Sequence, residues 1–304
     1  MAAWTASNIP SQRGRTAIVT GTGGIGLETA VELARAQALV VIAGRNAAKG
    51  AEAVAQVRAR VPSATVRFEA LDLVSLKSIA AFGDRLTDQF TGLDLLVNNA
   101  AVMNPPERQV TSDGHELQFG TNYLGHFALT AALMPLLRQA RGARVISLSS
   151  VAARDGRIDF DNLQSERRYD PMTAYAQSKL ACLIFAFELQ RRSTAAQWGV
   201  TSVAAHPGIS RTDLIPNGAG ASSASGRARR YLWFLFQPAA QGALPSLYAA
   251  TAPEAQGGHY YGPNRLGETR GHPVLARVPQ QALDVEVAAR LWKESERLTN
   301  IRFA

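Results

Sequence analysis

The sequence has only one cysteine, Cys182, among its 304 residues. A single cysteine excludes an internal disulfide framework and a cysteine-based zinc site, and it suits a reducing compartment such as the cytoplasm. Charged residues are also scarce at 18%, whereas apolar residues reach 46%; the usual charged share is about a quarter. This balance excludes disorder over most of the chain and predicts a large buried core.

Long apolar runs are absent as well. The longest uninterrupted ones are Leu180–Phe187 and Tyr231–Phe236, far below the roughly 18 residues that a membrane-spanning helix needs. The segment Met1–Gln12 has no basic start followed by an apolar stretch, so it is not typical of a signal peptide. We therefore expect a cytoplasmic protein without a membrane span.

The basic residues are not clustered. Lysine and arginine total 32 against 24 aspartate and glutamate residues, a formal charge of +8, and the excess is scattered along the chain. This pattern favours tolerance of anionic small ligands and argues against a nucleic-acid binder. The five histidines show no metal-ligand spacing, so no metal site is predicted.

Short apolar runs alternate with helical patterns. The predicted strands are Thr16–Thr20, Ala38–Ala43, Thr65–Ala70, Leu93–Val97, Arg144–Leu148, Val200–Ala205 and His259–Tyr261. The predicted helices are Leu27–Gln37, Asn46–Val61, Ser75–Phe90, Asp113–Gln139, Thr173–Gln197, Gln241–Ala250 and about Gln281–Leu298. This alternation, with strands apolar on both faces, predicts one doubly wound Rossmann-type α/β domain over residues 1–304, whose parallel sheet of about seven strands carries helices on both faces.

Two segments interrupt this pattern. Arg154–Pro171 is polar and is predicted to be an irregular insertion. Pro216–Arg230 is rich in glycine, alanine and serine, and Tyr231–Phe236 is aromatic. We expect residues 215–236 to form a mobile lid, since such residues lose much backbone entropy on ordering. The alternatives are permanent burial of the aromatic cluster or contact of residues 227–236 with a lipid surface or partner.

The first strand leads directly into Gly21-Thr22-Gly23-Gly24-Ile25-Gly26. This G-x-G-x-x-G spacing between a strand and a helix is typical of dinucleotide-binding turns. Glycines let the backbone approach a pyrophosphate, and the helix N-terminus presents N–H groups to it. The alternative is a tight turn that holds no ligand.

The end of the second strand indicates which dinucleotide binds. An NAD-binding unit usually has an acidic residue about 20 residues past the glycines, but this stretch contains Arg45 and no acid. Its guanidinium suits a 2′-phosphate, which favours NADP over NAD; alternatively Arg45 is an exposed loop residue. Asp72, after the third strand, is a candidate for the adenine amino group or an N-cap of the next helix.

Tyr175 and Lys179 are four residues apart in a predicted helix and therefore lie on one face. A nearby ammonium favours the phenolate and lowers a tyrosine pKa towards the range useful for acid–base catalysis. Ser149 and Ser150 follow the fifth strand, at the sheet edge where such folds bind ligands. Asn122 lies within a predicted helix, where it has a function or simply faces water.

Together these motifs resemble the short-chain dehydrogenase/reductase family over nearly the whole chain. The motifs that carry the resemblance are the glycine turn, Asp72, Asn98-Asn99-Ala100, Asn122, Ser150, Tyr175 with Lys179, and Pro207-Gly208 with Thr212. The resemblance implies that Tyr175 is the general acid/base, that Ser150 bonds the substrate oxygen and that Lys179 holds the nicotinamide ribose. It also implies that Asn122 supports a water molecule in a proton relay.

The cofactor-binding residues follow from the same resemblance. They are Gly21, Thr22, Gly23, Gly24, Ile25, Gly26, Arg45, Asp72, Leu73, Asn99, Ala100, Ala101, Tyr175, Lys179, Pro207, Gly208 and Thr212. The turn Thr20–Gly26 is one residue shorter than the family pattern and lacks its usual serine or arginine. Selection for a 2′-phosphate is therefore expected to fall mainly on Arg45.

The spacing of Ser150 and Tyr175 indicates a subgroup. They are 25 residues apart in this sequence, and the intervening segment is similar to retinol-dehydrogenase-like and protochlorophyllide-reductase-like members. The resemblance implies an NADP(H)-dependent oxidoreductase that interconverts an alcohol and a carbonyl on an apolar or amphipathic substrate, and it leaves homo-oligomerisation open. The alternative function is a cofactor-binding sensor or scaffold with little turnover, against which the intact Ser150, Tyr175 and Lys179 argue.

Overall fold

The computed structural model describes residues 3–210 and 237–303. Within these residues one sheet of eight strands has the order β3-β2-β1-β4-β5-β6-β7-β8. The strands are β1 Thr16–Thr20, β2 Leu39–Gly44, β3 Val66–Ala70, β4 Leu95–Asn98, β5 Arg144–Leu148, β6 Thr201–Ala205, β7 Tyr260–Arg265 and β8 Arg270–Leu275. Strands β1 to β7 pair in parallel and only β8 pairs antiparallel, which confirms the predicted doubly wound α/β fold.

Helices cover both faces of this sheet. They are α1 Gly24–Arg35, α2 Ala47–Arg60, α3 Leu76–Gln89, α4 Gly125–Ala132, α5 Met134–Gln139, α6 Pro171–Ala195, α7 Ala239–Gly242, α8 Leu244–Thr251 and α9 Val285–Thr299. One apolar cluster joins α3, α4, α6 and α9 to one face, and a second joins α1, α2 and α8 to the other. The central strands β1, β2, β4, β5 and β6 are buried on both sides between these two layers, as their apolar sequences predict.

The eighth strand is a correction to the sequence analysis, which placed the last strand at His259–Tyr261. Strand β7 extends to Arg265, and a hairpin turn leads into the antiparallel edge strand β8. Gly271 and Pro273 lie in β8. Both residues weaken a strand prediction, but proline is tolerated on edge strands.

A second correction concerns the long helix predicted at Asp113–Gln139. The helical region is instead a π-helix, Phe119–Leu124, followed by α4 and by the separate α5, whose first turn contains Pro135. The Gly125 N–H donates to the Gly120 carbonyl, which is the i to i+5 bond of a π-turn. Apolar periodicity does not distinguish these turns from one continuous α-helix.

The insertion Arg154–Pro171 is irregular, as expected. Its first residues end a short 3₁₀ helix, Val151–Asp155, and helix α6 begins at Pro171. Ile158 and Leu163 are buried against the core, and the Gln177 side chain donates to the Leu163 carbonyl. The insertion is thereby fixed against the helix that carries Tyr175.

Candidate active site

The carboxyl ends of β1, β4, β5 and β6 lie side by side and bring the predicted site residues together. Thr20 joins the first two ends: its hydroxyl oxygen accepts the N–H groups of Asn99 and Ala100, each at 2.9 Å. The Asn99 amide returns a bond of 2.7 Å to the Thr20 carbonyl. A Cβ on Gly26 would lie 2.5 Å from that amide nitrogen, so close packing of the turn requires glycine there.

The glycine turn fits a dinucleotide. Gly21 and Gly24 have φ angles of 99° and 53°, in the region that favours glycine. Helix α1 begins at Gly24 with Gly23 as its N-cap. A Cβ on Gly23 would have no described atom within 4 Å, so the backbone in front of the helix N-terminus is open. Free N–H groups and the positive helix end suit a pyrophosphate at this position.

The two residues predicted to bind the adenosine end of the cofactor, Arg45 and Asp72, follow strands β2 and β3. Arg45 is exposed directly after β2 and makes no ion pair with residues in the described ranges, which leaves its guanidinium available for an anion. The Asp72 carboxylate accepts the Val74 N–H at 3.3 Å. Helix α3 is capped by Ser75, which accepts the Ser78 N–H at 3.2 Å. The alternative that Asp72 is an N-cap is therefore wrong.

Tyr175 and Lys179 lie on α6, whose N-terminus is capped by Asp170 and begins with Pro171. Both side chains are buried. The Lys179 Nζ lies 5.9 Å from the centre of the Tyr175 ring and donates to the Leu148 carbonyl at 3.1 Å. The predicted spacing thus places the phenol and the ammonium on one face, beside the end of β5.

Burial dominates the titration of this pair. It raises the pKa of Tyr175 to about 12, although a hydrogen bond with Ser150 acts in the opposite direction. Burial also lowers the pKa of Lys179. Without the cofactor the net shift of the Tyr175 pKa is therefore upward, and its lowering by Lys179 stays a prediction.

The two serines after β5 have different contacts. Ser149 is buried and donates to the Lys179 carbonyl at 2.7 Å. Ser150 is half-buried, accepts the Ala152 N–H at 3.2 Å and lies close enough to the Tyr175 phenol to oppose the rise of its pKa. Ser150 rather than Ser149 therefore has its hydroxyl beside the phenol.

Asn122 lies in the π-helix and is buried, so the alternative that it faces water is wrong. Its amide accepts the Val102 N–H at 2.8 Å, donates to the Val102 carbonyl at 2.9 Å and donates to Ser178 at 3.0 Å. These bonds join the loop after β4 to the helix that carries Tyr175. Asn122 therefore fixes the loop after β4 against helix α6.

Two buried histidines near these groups received no role in the sequence analysis. His126 bonds the Thr20 hydroxyl and the Asn122 carbonyl, each at 2.9 Å, and burial lowers its pKa to about 4. His206 directly follows β6, and burial lowers its pKa as well. The sequence signal that could have identified them is a polar residue in an apolar setting: His126 lies within an apolar helix, and His206 lies at the end of an apolar strand.

The remaining predicted residues lie at the end of β6 and after it. Pro207 and Gly208 form a turn in which Gly208 has a φ of 64°, and a Cβ there would collide with the Thr269 carbonyl. Thr212 and the predicted lid at residues 215–236 lie outside the described residues. Across residues 3–210 and 237–303, no three metal-ligand side chains come together, and no helix has the length and apolar character for crossing a membrane.

Comparisons with known proteins agree with this arrangement. The model of the family described as short chain dehydrogenase matches residues 15–219. Retinol dehydrogenase 13 and polyprenol dehydrogenase, both from Mus musculus, are each 42% identical, covering 96% of this chain and 85% of those proteins. The crystal structure of an uncharacterised protein from Mycobacterium paratuberculosis superposes with a TM-score of 0.82 at 39% identity, covering all of both chains. The chain therefore belongs to the short-chain dehydrogenase family and is an oxidoreductase of the retinol-dehydrogenase-like kind.

Proposed function

We propose that the protein interconverts an alcohol and a carbonyl group on an apolar substrate, with NADP(H) as the hydride carrier and Tyr175 as the general acid/base. The observation that carries this proposal is the contact of the Tyr175 phenol with Ser150 above the buried Lys179, at the sheet edge that also holds the open glycine turn.

The residues of the chain have distinct roles in this reaction. Tyr175 protonates the carbonyl oxygen in reduction and takes the hydroxyl proton in oxidation. Ser150 bonds the same oxygen and holds it beside the phenol. Lys179 anchors the nicotinamide ribose, and Asn122 supports a water molecule in the proton path. The nicotinamide, when bound, gives or accepts the hydride.

Cofactor binding is assigned to residues along the same edge. Gly21 to Gly26 hold the pyrophosphate, and Asp72 with Leu73 holds the adenine. Asn99, Ala100 and Ala101 line the central part of the cofactor. Pro207, Gly208 and Thr212 would hold the nicotinamide and its carboxamide. We assign the preference for NADP to Arg45, since its unpaired guanidinium can bind the 2′-phosphate through two parallel hydrogen bonds.

The apolar substrate class follows from the relatives. Retinol and polyprenol, after which the matched dehydrogenases are named, are long apolar alcohols, and these proteins share about two fifths of their residues with this chain. We further propose a single domain that acts in the cytoplasm.

A panel of carbonyl compounds tests this function. Long-chain apolar aldehydes and ketones are compared with short hydrophilic ones of the same reactive group, with NADPH or NADH, by the loss of reduced-nicotinamide absorbance. The proposal expects turnover of the apolar members with NADPH. Tight NADPH binding without turnover of any member would favour the sensor or scaffold instead.

A further inference from the structure

The turn between β7 and β8 carries a carboxylate, Glu268, that reaches buried His206 at the end of β6. The distance from His206 Nε2 to Glu268 Oε2 is 3.0 Å. The other ring nitrogen, Nδ1, lies 3.3 Å from the Gly208 N–H. A backbone N–H only donates, so Nδ1 is the acceptor and the ring proton lies on Nε2, from which it is donated to Glu268.

Glu268 also binds the segment that follows Ser150. Arg154, in the 3₁₀ helix directly after that serine, donates to Glu268 Oε2 at 2.6 Å and to the Gly267 carbonyl at 3.1 Å. The second carboxylate oxygen accepts the Arg277 N–H at 2.9 Å. One carboxylate thus connects the ends of β5 and β6, the two strands that carry Ser150 and the turn at Pro207.

The hairpin turn adopts a costly backbone conformation around this carboxylate. Leu266, Gly267 and Glu268 have φ angles of 49°, 64° and 68°. Non-glycine residues in this region persist where the surroundings hold them, and such strain concentrates at functional sites. The next residue, Thr269, accepts the Ile209 N–H at 2.8 Å and packs over Gly208.

A buried tyrosine forms a second connection between the same two strand ends. The Tyr260 ring lies 5.0 Å from the His206 ring, centre to centre, and its hydroxyl donates to the Ser150 carbonyl at 3.4 Å. Glu268 is therefore connected to the backbone at Ser150 by two routes. One runs through His206 and Tyr260, and the other runs through Arg154.

We propose that Glu268 is a positioning residue: by holding His206 in the Nε2–H form and binding Arg154, it fixes the Pro207–Gly208 turn relative to Ser150. This inference rests on the proposed function, which places the nicotinamide against that turn and the substrate oxygen at Ser150. Glu268 touches neither reactant. Its effect is confined to the nicotinamide end, because the glycine turn and Arg45 lie at the ends of other strands.

The variant Glu268→Gln tests this role with little change of shape. If the glutamine oxygen faces His206 and Arg154, its NH₂ group meets the Arg277 N–H, another donor. If the NH₂ group faces His206, two donors meet, because His206 Nε2 also carries a proton. Moving that proton to Nδ1 would only place it against the Gly208 N–H, which is another donor. Either orientation sets two donors against each other: the first loses the Arg277 N–H bond and the charge that binds Arg154, and the second loses the bonds to His206 and Arg154 as well. The turn is therefore held less firmly in both.

Binding of two nucleotides separates positioning from general stability. NADPH contains the nicotinamide, whereas 2′-phospho-ADP-ribose lacks it and retains the adenine, the pyrophosphate and the 2′-phosphate. We expect Glu268→Gln to weaken NADPH binding about tenfold, to leave binding of 2′-phospho-ADP-ribose unchanged and to lower kcat for carbonyl reduction. Glu254→Gln, the same change at an exposed position after α8, is the control and should change none of these.

The outcomes separate this inference from the proposed function. A wild-type protein that binds neither nucleotide contradicts the proposed function and with it this inference. Wild-type binding of both, with the same NADPH affinity and kcat in Glu268→Gln, contradicts the positioning role alone, as does an equal loss for both nucleotides. If Glu268→Gln does not fold, His206→Gln keeps a donor towards Glu268 but removes the acceptor for Gly208, and the same selective loss is expected.

Discussion

Replacing Gly23 by alanine should leave the fold intact while weakening cofactor binding. Gly23 has φ −146° and ψ −180°, an extended conformation that any residue adopts. A Cβ there would have no described atom within 4 Å. We expect the free energy of unfolding to stay constant or to rise by about 0.4–1 kcal/mol, because alanine restricts the unfolded chain more than glycine does.

The same methyl group should obstruct the pyrophosphate. Gly23 is the N-cap of α1, where the proposed phosphate contacts are made by backbone N–H groups. A hydrogen bond to a charged group contributes about 1.5–3 kcal/mol. Loss of one such bond raises the Kd for NADPH roughly tenfold or more, and loss of two raises it well beyond a hundredfold.

Gly26→Ala is the matched substitution three residues away. In contrast to Gly23→Ala, it should lower the free energy of unfolding. Its Cβ would lie 2.5 Å from the Asn99 amide nitrogen and 2.9 Å from the Gly21 carbonyl. Atoms this close must move, which we expect to cost about 1–3 kcal/mol of stability, as overpacking generally does. The better helix propensity of alanine offsets up to about 1 kcal/mol of that cost.

Urea denaturation and NADPH titration of the two variants, beside the wild type, check these expectations. Gly23→Ala should unfold at the wild-type urea concentration or above it, and Gly26→Ala below it. An unchanged Kd for NADPH in Gly23→Ala would refute the assignment of the phosphate to this turn. A stability loss in Gly23→Ala equal to that in Gly26→Ala would refute the argument that the backbone there is open.

Three further predictions concern charge and pH. Arg45→Asp should lower kcat/KM with NADPH at least about tenfold and raise it with NADH; equal values for both cofactors in the wild type would contradict the role of Arg45. Burial raises the pKa of Tyr175 to about 12 in the protein without cofactor, and Lys179 is expected to lower it in the cofactor complex. With rising pH, kcat/KM for carbonyl reduction should therefore fall at a lower pH than the pKa of the cofactor-free protein, whereas alcohol oxidation should gain rate; a reduction rate that is unchanged up to about pH 11 would contradict the lowering by Lys179. The pKa of His126, lowered from 6.5 to about 4 by burial, lies below its value in the unfolded chain, which therefore binds the proton first as pH falls. Unfolding free energy should decline between about pH 6.5 and 4, by up to about 3 kcal/mol from this residue, and urea denaturation should show a shallower decline in His126→Gln but not in His259→Gln.

Local sequence was sufficient for most of the fold. The central parallel strands β1, β2, β4 and β5 are short, mostly apolar runs that end in a polar or glycine-containing turn, so their positions and type follow from the local pattern. Strand β8 could not be found this way, because Gly271 and Pro273 disfavour a strand until β7 provides a partner. The π-turn around Asn122 depends on the packing of Gly125 and was equally invisible in the apolar pattern.

The candidate site likewise has features that local sequence predicts and features that depend on tertiary contacts. Tyr175 and Lys179 are close because helical spacing dictates it, and the glycine turn is recognisable from its position between strand and helix. The partnership of His206 and Glu268 spans 62 residues and depends on a hairpin turn with left-handed residues. The bonds of Asn122 to Val102 are likewise tertiary. Such pairings follow from the assembled sheet edge, which local sequence does not contain.

The central claim, that Tyr175 is the proton donor of a hydride-transfer site, is tested most directly by single-turnover reduction of an apolar aldehyde by NADPH-loaded Tyr175→Phe. The ring still packs and only the hydroxyl is lost, so NADPH affinity should stay near the wild-type value. The rate of NADPH oxidation should fall about 10²–10⁴-fold, whereas Tyr248→Phe, on α8, should react like the wild type. A Tyr175→Phe protein with full NADPH affinity that retains more than about a hundredth of the wild-type rate would contradict the account.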